Sequence, residues 1–199
     1  MNKLRVGILF GGRSGEHEVS LLSAASVLKA INKDKYEVVP IGITKEGRWL
    51  TDAHAERLLR GETESGRHLR AGDPQATPGA AVLAKGEAVI VPPVPQSHGL
   101  IPFESAASSG QKSIDVDVIF PVLHGTFGED GTIQGLFELA DIPYVGAGVL
   151  GSAAGMDKDV MKHLFAGAGL AIVKHVTILR SQWEKEPKKV TKLVESKLK

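Results

Sequence analysis

The apolar run Leu4 to Phe10 is short and carries β-branched side chains, which predicts a buried strand and is too short for a membrane span or a signal core. Leu21, Ala24, Ala25, Leu28 and Ile31 then recur at helical spacing and predict one buried helix face. A second strand is expected from Glu37 to Ile43, closed by a turn at Lys45-Glu46-Gly47. Two apolar strands joined through a helix predict a βαβ unit with a right-handed crossover, hence a parallel sheet. The pattern loosens between residues 51 and 112, where Pro74, Pro78, Pro92, Pro93, Pro95 and Pro102 stand among many Gly and Ser. A short polar helix at Glu56 to Arg60 and a strand at Ala88 to Val91 are expected there, within an insertion on the sheet's edge. Ser105 to Ser113 is its least structured piece.

Order resumes at Ile114. An apolar run from Val116 to Leu123 predicts a strand, and Ile133, Leu136, Phe137 and Ala140 form the stripe of another helix. From Gly155 onward, Val160, Met161, Leu164, Phe165 and Ala168 predict a helix ended by Gly167 and Gly169, followed by a strand from Leu170 to Leu179. A last helix is expected from Ser181, with Val190, Leu193, Val194 and Leu198 on one side and lysines on a solvated face. The class is α/β: a three-layer domain over residues 1–154, with a parallel sheet and an insertion at about 51–112.

Two turns in this pattern carry candidate chemistry. Gly11-Gly12-Arg13-Ser14-Gly15-Glu16-His17-Glu18 follows the first strand and opens a helix. His124-Gly125-Thr126-Phe127-Gly128-Glu129-Asp130-Gly131 follows the strand at Val116 to Leu123 and opens another. Strand, glycine loop and helix are how open α/β sheets build ligand sites, outside the strands' carboxyl ends and near exposed helix N–H groups. Both loops are expected at the same edge of the sheet. The first has neither the spacing of the dinucleotide fingerprint nor the lysine of a phosphate-binding Walker loop. Acidic residues in a first helical turn complement the macrodipole without any ligand, which suffices for Glu18. Glu16 sits among glycines, where a carboxylate can reach a substrate ammonium. Ser14 reads equally as a ligand or as an N-terminal cap, and Glu129 and Asp130 as residues that shape the turn and cap the helix. His17 gains no role from the sequence, and His163 and His175 read as surface or packing residues.

At these residues the chain resembles the N-terminal part of D-alanine–D-alanine ligases, members of the ATP-grasp superfamily. One family signature, Gly-Gly-x-Ser-x-Glu-x-Glu-Val-Ser, matches Gly11 to Ser20. Another, His-Gly-x-x-Gly-Glu-Asp-Gly-x-x-Gln-Gly, matches His124 to Gly135, and a third, Met-Asp-Lys, matches Met156-Asp157-Lys158. The strand-like Ile142-Pro143-Tyr144-Val145-Gly146 is also similar to the family's. The resemblance covers the chain apart from residues 51–112. It implies a Rossmann-like, pre-ATP-grasp substrate-binding domain followed, over 155–199, by the truncated beginning of an ATP-grasp central domain.

By resemblance, ATP phosphorylates the carboxylate of one D-alanine, and the amine of a second attacks the acylphosphate to make a dipeptide for peptidoglycan and the cell wall. Glu16 would hold the first D-alanine's ammonium, His124 would lie by that substrate's carboxylate, and Lys158 would help to hold ATP phosphates. Without the family, Lys158 reads as an exposed lysine on a helix's first turn. The family's Mg²⁺ carboxylates and most ATP contacts come after the equivalent of Lys199, so no metal ligand is expected in this chain and the chain alone is expected to be inactive. A homodimer in the cytoplasm is the family expectation. Rival readings are a non-catalytic module that binds a small ligand, a dimerisation module, and part of a D-alanine–D-lactate ligase.

Composition is consistent with this and narrows the alternatives. The 199 residues are 42% hydrophobic and 24% charged, enough for one full domain and part of another. A net charge of +1 gives no reason to expect a nucleic-acid or membrane partner. There is no cysteine, and the seven histidines stand at no evident metal-ligand spacing. The absence of cysteine suits a cytosolic protein.

Overall fold

The computed structural model describes residues 3–51, 82–83, 86–95, 99–103 and 113–198. The chain divides into two compact units, Met1–Ala153 and Ala154–Lys199. The expected helix at Glu56 to Arg60 lies outside the described residues, as does nearly all of Ser105 to Ser113.

The first unit is built on a sheet of seven described strands. These are β1 (Leu4–Gly11), β2 (Tyr36–Ile43), β3 (Trp49–Thr51), β4 (Glu87–Ile90), β5 (Gly99–Pro102), β6 (Ile114–Asp115) and β7 (Val118–Pro121), in the order β6-β5-β4-β3-β2-β1-β7. β1 is central to the parallel part, running from Leu4↔Tyr36 to Gly11↔Ile43 against β2 and from Val6↔Val118 to Leu9↔Pro121 against β7. α1 (His17–Ala30) connects β1 to β2, and α2 (Thr132–Ala140) follows β7.

The two helices cover opposite faces, which makes the three layers. Val6, Ile8 and Phe10 of β1 pack with Leu21, Ala24 and Leu28 of α1. Leu9, one step out of phase, packs with Ile41, Ile119 and the α2 residues Ile133, Phe137 and Ala140. Alternate positions of a strand face opposite sides, so a continuous apolar run is what a strand buried on both faces requires. Ala25 and Ile31 are only partly buried at the margin of the α1 stripe.

The sheet is mixed, not parallel throughout. After β2 the chain reverses within Thr44 to Arg48, where Thr44 N–H donates to the Arg48 carbonyl at 2.9 Å and Gly47 takes φ +91°. Such a tight turn leaves no room for a crossover, so β3 pairs antiparallel to β2 through Ile43↔Trp49. The insertion continues this antiparallel run and supplies β4 and β5, with Val89, Val91 and Leu100 in the core on the α2 side. It is thus partly integral to the sheet. Only Val116 and Asp117 separate β6 from β7, so the two ends of the strand order lie close together. The expected strand at Ile142 to Gly146 reduces to a parallel bridge, Ile119↔Tyr144.

α3 (Val149–Met156), rich in Gly, Ala and Ser, was not marked by the apolar pattern. The second unit holds α4 (Lys158–Gly167), α5 (Arg180–Lys185) and α6 (Pro187–Leu198). Asp157 caps α4, accepting from the Asp159 and Val160 N–H groups at 2.9 and 3.0 Å. The expected strand from Leu170 to Leu179 is not formed: among the described residues no strand pairs with it, and an extended segment without a ladder is not a strand. The expected last helix is two. Glu186, at φ −141° and ψ 62°, is held off the helical region by the following proline, and Pro187 then takes the first position of α6.

Candidate active site

β1 and β7 are parallel neighbours, so the loops that follow them leave the sheet at the same carboxyl edge. Ser20 in α1 ties the two strand ends together. Its buried hydroxyl donates to the Val122 carbonyl and accepts from the Gly11 N–H at 2.8 Å.

Ser14 joins the loops themselves. Its hydroxyl donates to the His124 carbonyl at 2.6 Å and accepts from the Glu16 N–H at 3.2 Å. Gly125 has φ +72°, and a Cβ built on it would stand 2.6 Å from Glu16 Oε2 and 3.4 Å from Ser14 Cβ. The Glu16 carboxylate therefore lies directly against the Gly125 backbone, whose positive φ favours glycine. The His124 ring is held by Ser23 of α1, whose hydroxyl is 2.9 Å from Nε2. Ser14, Glu16 and His124 are thus brought together from two loops more than 100 residues apart.

Glu129 and Asp130 are engaged with the loop backbone. Glu129 accepts from the Gly125 N–H at 2.7 Å, and Asp130 from the Phe127 and Thr132 N–H groups at 2.9 and 3.0 Å. Partial burial pushes the Asp130 carboxyl up, but the bonds from Phe127 and Thr132 outweigh it and hold the group below its ordinary value. Gln134, in the first turn of α2, donates to the Gly128 carbonyl at 2.9 Å. His17 is buried, its Nδ1 2.7 Å from the Gly12 carbonyl, and it braces the first loop. Glu18 pairs with Lys45, which draws its carboxyl below the usual range; it faces that lysine besides sitting in the helix's first turn. Lys158 is exposed at the first position of α4, within the second unit.

A cleft of about 240 Å³ opens beside the loops, its wall including Gly12, Arg13, Trp49, Leu123, Phe127 and Leu136. Ser14 and His124 also line it, whereas Glu16 reaches the second loop at Gly125 and is not part of its wall. Arg13 lies over the Phe127 ring, 4.9 Å from its centroid, at a distance suited to a cation–π contact. Phe127 itself takes φ +67°, an uncommon conformation for an aromatic residue. Arg13, Ser23 and Phe127 carried no signal in the sequence, because their partners are distant in the chain or irregular in backbone.

Residues 5–147 match the family described as D-ala D-ala ligase N-terminus. The D-alanine–D-alanine ligase of Bacillus cytotoxicus is 45% identical over the whole of this chain and 49% of its own length. The crystal structure of VanG D-Ala:D-Ser ligase from Enterococcus faecalis superposes with a TM-score of 0.72 at 34% identity, over 99% of this chain and 50% of that one. The D-alanine–D-alanine ligase structure from Coxiella burnetii gives 0.72 at 28% identity, over 98% and 50%. The chain spans about half the length of the curated relatives it matches. With both loop signatures inside the matched span and joined in space, the chain belongs to the D-alanine–D-alanine ligase N-terminus family.

Proposed function

We propose that the two loops form the first-substrate corner of an ATP-dependent D-alanine–D-alanine ligase, a cytoplasmic and dimeric enzyme of cell-wall synthesis. The observation that carries the reading is the joining of Ser14, Glu16 and His124 across the loops, with the Glu16 carboxylate against Gly125. Glu16 accepts a charge-assisted hydrogen bond from the ammonium of the first D-alanine, and Ser14 keeps the two loops in register. Ser23 orients the His124 ring through Nε2 and leaves Nδ1 for that substrate's carboxylate, where charge builds as the acylphosphate forms. Holding the carboxylate in line with the ATP γ-phosphate and then in line with the second amine is the catalytic gain. Lys158 is the residue proposed to touch ATP phosphates. Mg²⁺, held by one or two carboxylates together with the ATP phosphates, is proposed to take its ligands from the half of the relatives that this chain does not span. One structural relative is a D-Ala:D-Ser ligase, which makes D-serine, beside D-alanine and D-lactate, a second substrate to test.

The test is Glu16→Gln in the full-length enzyme, which keeps shape and removes charge. A charge-assisted contact in a closed site contributes roughly 1.5–3 kcal/mol, so kcat/KM for the first D-alanine should fall about ten- to a hundredfold. Glu18→Gln should leave kinetics unchanged, since Glu18 pairs with Lys45. Equal losses in the two variants would overturn the assignment of Glu16.

A further inference from the structure

We propose that Asp159, His163 and His175 of the second unit form a site for a divalent transition metal, Zn²⁺ foremost. Asp159 and His163 are four residues apart on α4 and so share one face of it. His175 comes from the extended segment between α4 and α5, which returns alongside that face. One nitrogen of each imidazole and one carboxylate oxygen lie within 4.8 Å of one another. His175 Nε2 is 3.7 Å from Asp159 Oδ1, and the His163 and His175 rings meet edge to face with centroids 6.1 Å apart. A tetrahedral ion about 2.0–2.1 Å from each ligand needs them roughly 3.4 Å apart, within reach of small side-chain rotations.

His163 Nδ1 donates to the Asp159 carbonyl at 2.8 Å, which fixes the proton on that nitrogen and leaves the lone pair on Nε2. Thr177 Oγ1 donates to Asp159 Oδ1 and orients the carboxylate. Outer hydrogen bonds of this kind, to the far nitrogen of the imidazole and to the ligating carboxylate, hold first ligands in place. Asp157 fixes the backbone of the same turn through the Asp159 N–H. Two imidazoles and one carboxylate suit Zn²⁺ and exclude preference for Mg²⁺ or Ca²⁺, which take oxygen ligands. With side-chain exposures of 38% for Asp159 and 26% for His175, the cluster is open to an entering ion and to a fourth, solvent ligand. The ion would join α4 to the extended segment 170–179, which no ladder holds. The sequence hid this site because its i, i+4 pair is a carboxylate with a histidine and its third member lies 12 residues further on.

The experiment titrates the untagged 199-residue chain with Zn²⁺ against a chromophoric chelator, with Co²⁺ absorption as a second readout. One equivalent should bind, and His163→Ala and His175→Ala should each weaken binding by at least about tenfold and abolish the visible Co²⁺ bands, while Thr177→Val weakens binding by about tenfold. These side chains lie on the surface of a helix and an extended segment, so circular dichroism of each variant should match the parent. His124→Ala should bind as the parent does, and millimolar Mg²⁺ should not compete. Binding unaltered by either histidine variant, or none by about 100 µM Zn²⁺, overturns the proposal.

Discussion

Gly125 is where sequence and site meet most closely, because it satisfies two demands at once: φ +72° and contact with the Glu16 carboxylate. Gly125→Ala should cost about 1–2 kcal/mol for the left-handed backbone alone. The flexible end of Glu16 must also retreat from the new methyl, so in the full-length enzyme use of the first D-alanine should suffer more than stability does. Gly15→Ala is the comparison, since nothing lies within 4 Å of its Cβ position and its φ is not positive. Urea midpoints of the two variants, with KM for the first substrate, check this; equal effects would sink it. Asp130 supplies a pH signature. Its folded carboxyl titrates below the ordinary value, so its contribution is fully present above about pH 4 and is lost as pH falls through the folded value. Asp130→Asn should therefore flatten the acid limb of stability, read as a smaller difference between urea midpoints at about pH 7 and about pH 3. At this scale the meeting of the two loops was legible because glycine spacing exposes a loop that must meet something. Ser23 was not legible: its partner is 101 residues away and a serine on a helix face has no pattern of its own.

Elements were legible where one period held and neighbours could cover them. β1, β2, α1 and α2 all had apolar sets that the sheet and its two helical layers bury, and they appear as expected. Misreadings arose where pairing, not periodicity, decides: the turn at Thr44 to Arg48 makes β3 antiparallel, and residues 170–179 have strand composition but no described partner strand. A helix is also more than its face, since Pro187 splits the expected last helix in two ahead of the stripe that begins at Val190. What docks α1 is partly polar. Ser20 is fully buried and bridges the ends of β1 and β7 through Gly11 and Val122. Ser20→Ala leaves a buried N–H and a buried carbonyl without their partner, a loss of about 2–3 kcal/mol. Ser26→Ala, on the exposed side of the same helix, should be near neutral, because its hydroxyl only back-bonds to the Leu22 carbonyl. Chemical denaturation of both variants decides, and a loss under about 0.5 kcal/mol for Ser20→Ala would mean that apolar packing alone seats the helix.

The two units differ in what holds them. Met1–Ala153 has a core on each face of its sheet, whereas among the described residues of 154–198 Val190 alone is buried. Leu164, Phe165, Leu193 and Leu198 are 57%, 42%, 43% and 45% exposed, so the apolar stripes that the sequence assigned to α4 and to the last helix find little to cover them. A helix without a covered face draws its stability from local hydrogen bonds, which is marginal below about 12–15 residues, and α4, α5 and α6 have 10, 6 and 12. Hydrogen exchange followed by mass spectrometry should therefore find the amides of 158–198 exchanging through local opening, far faster than those of β1, β2 and β7, with α5 and α6 the least protected. Joining the chain to the half that its relatives possess should slow exchange at 170–179 most, since that segment has the β-branched composition of a strand and pairs with no strand among the described residues. Protection across 180–198 equal to that of β1 in the isolated chain would show that these helices need no further cover.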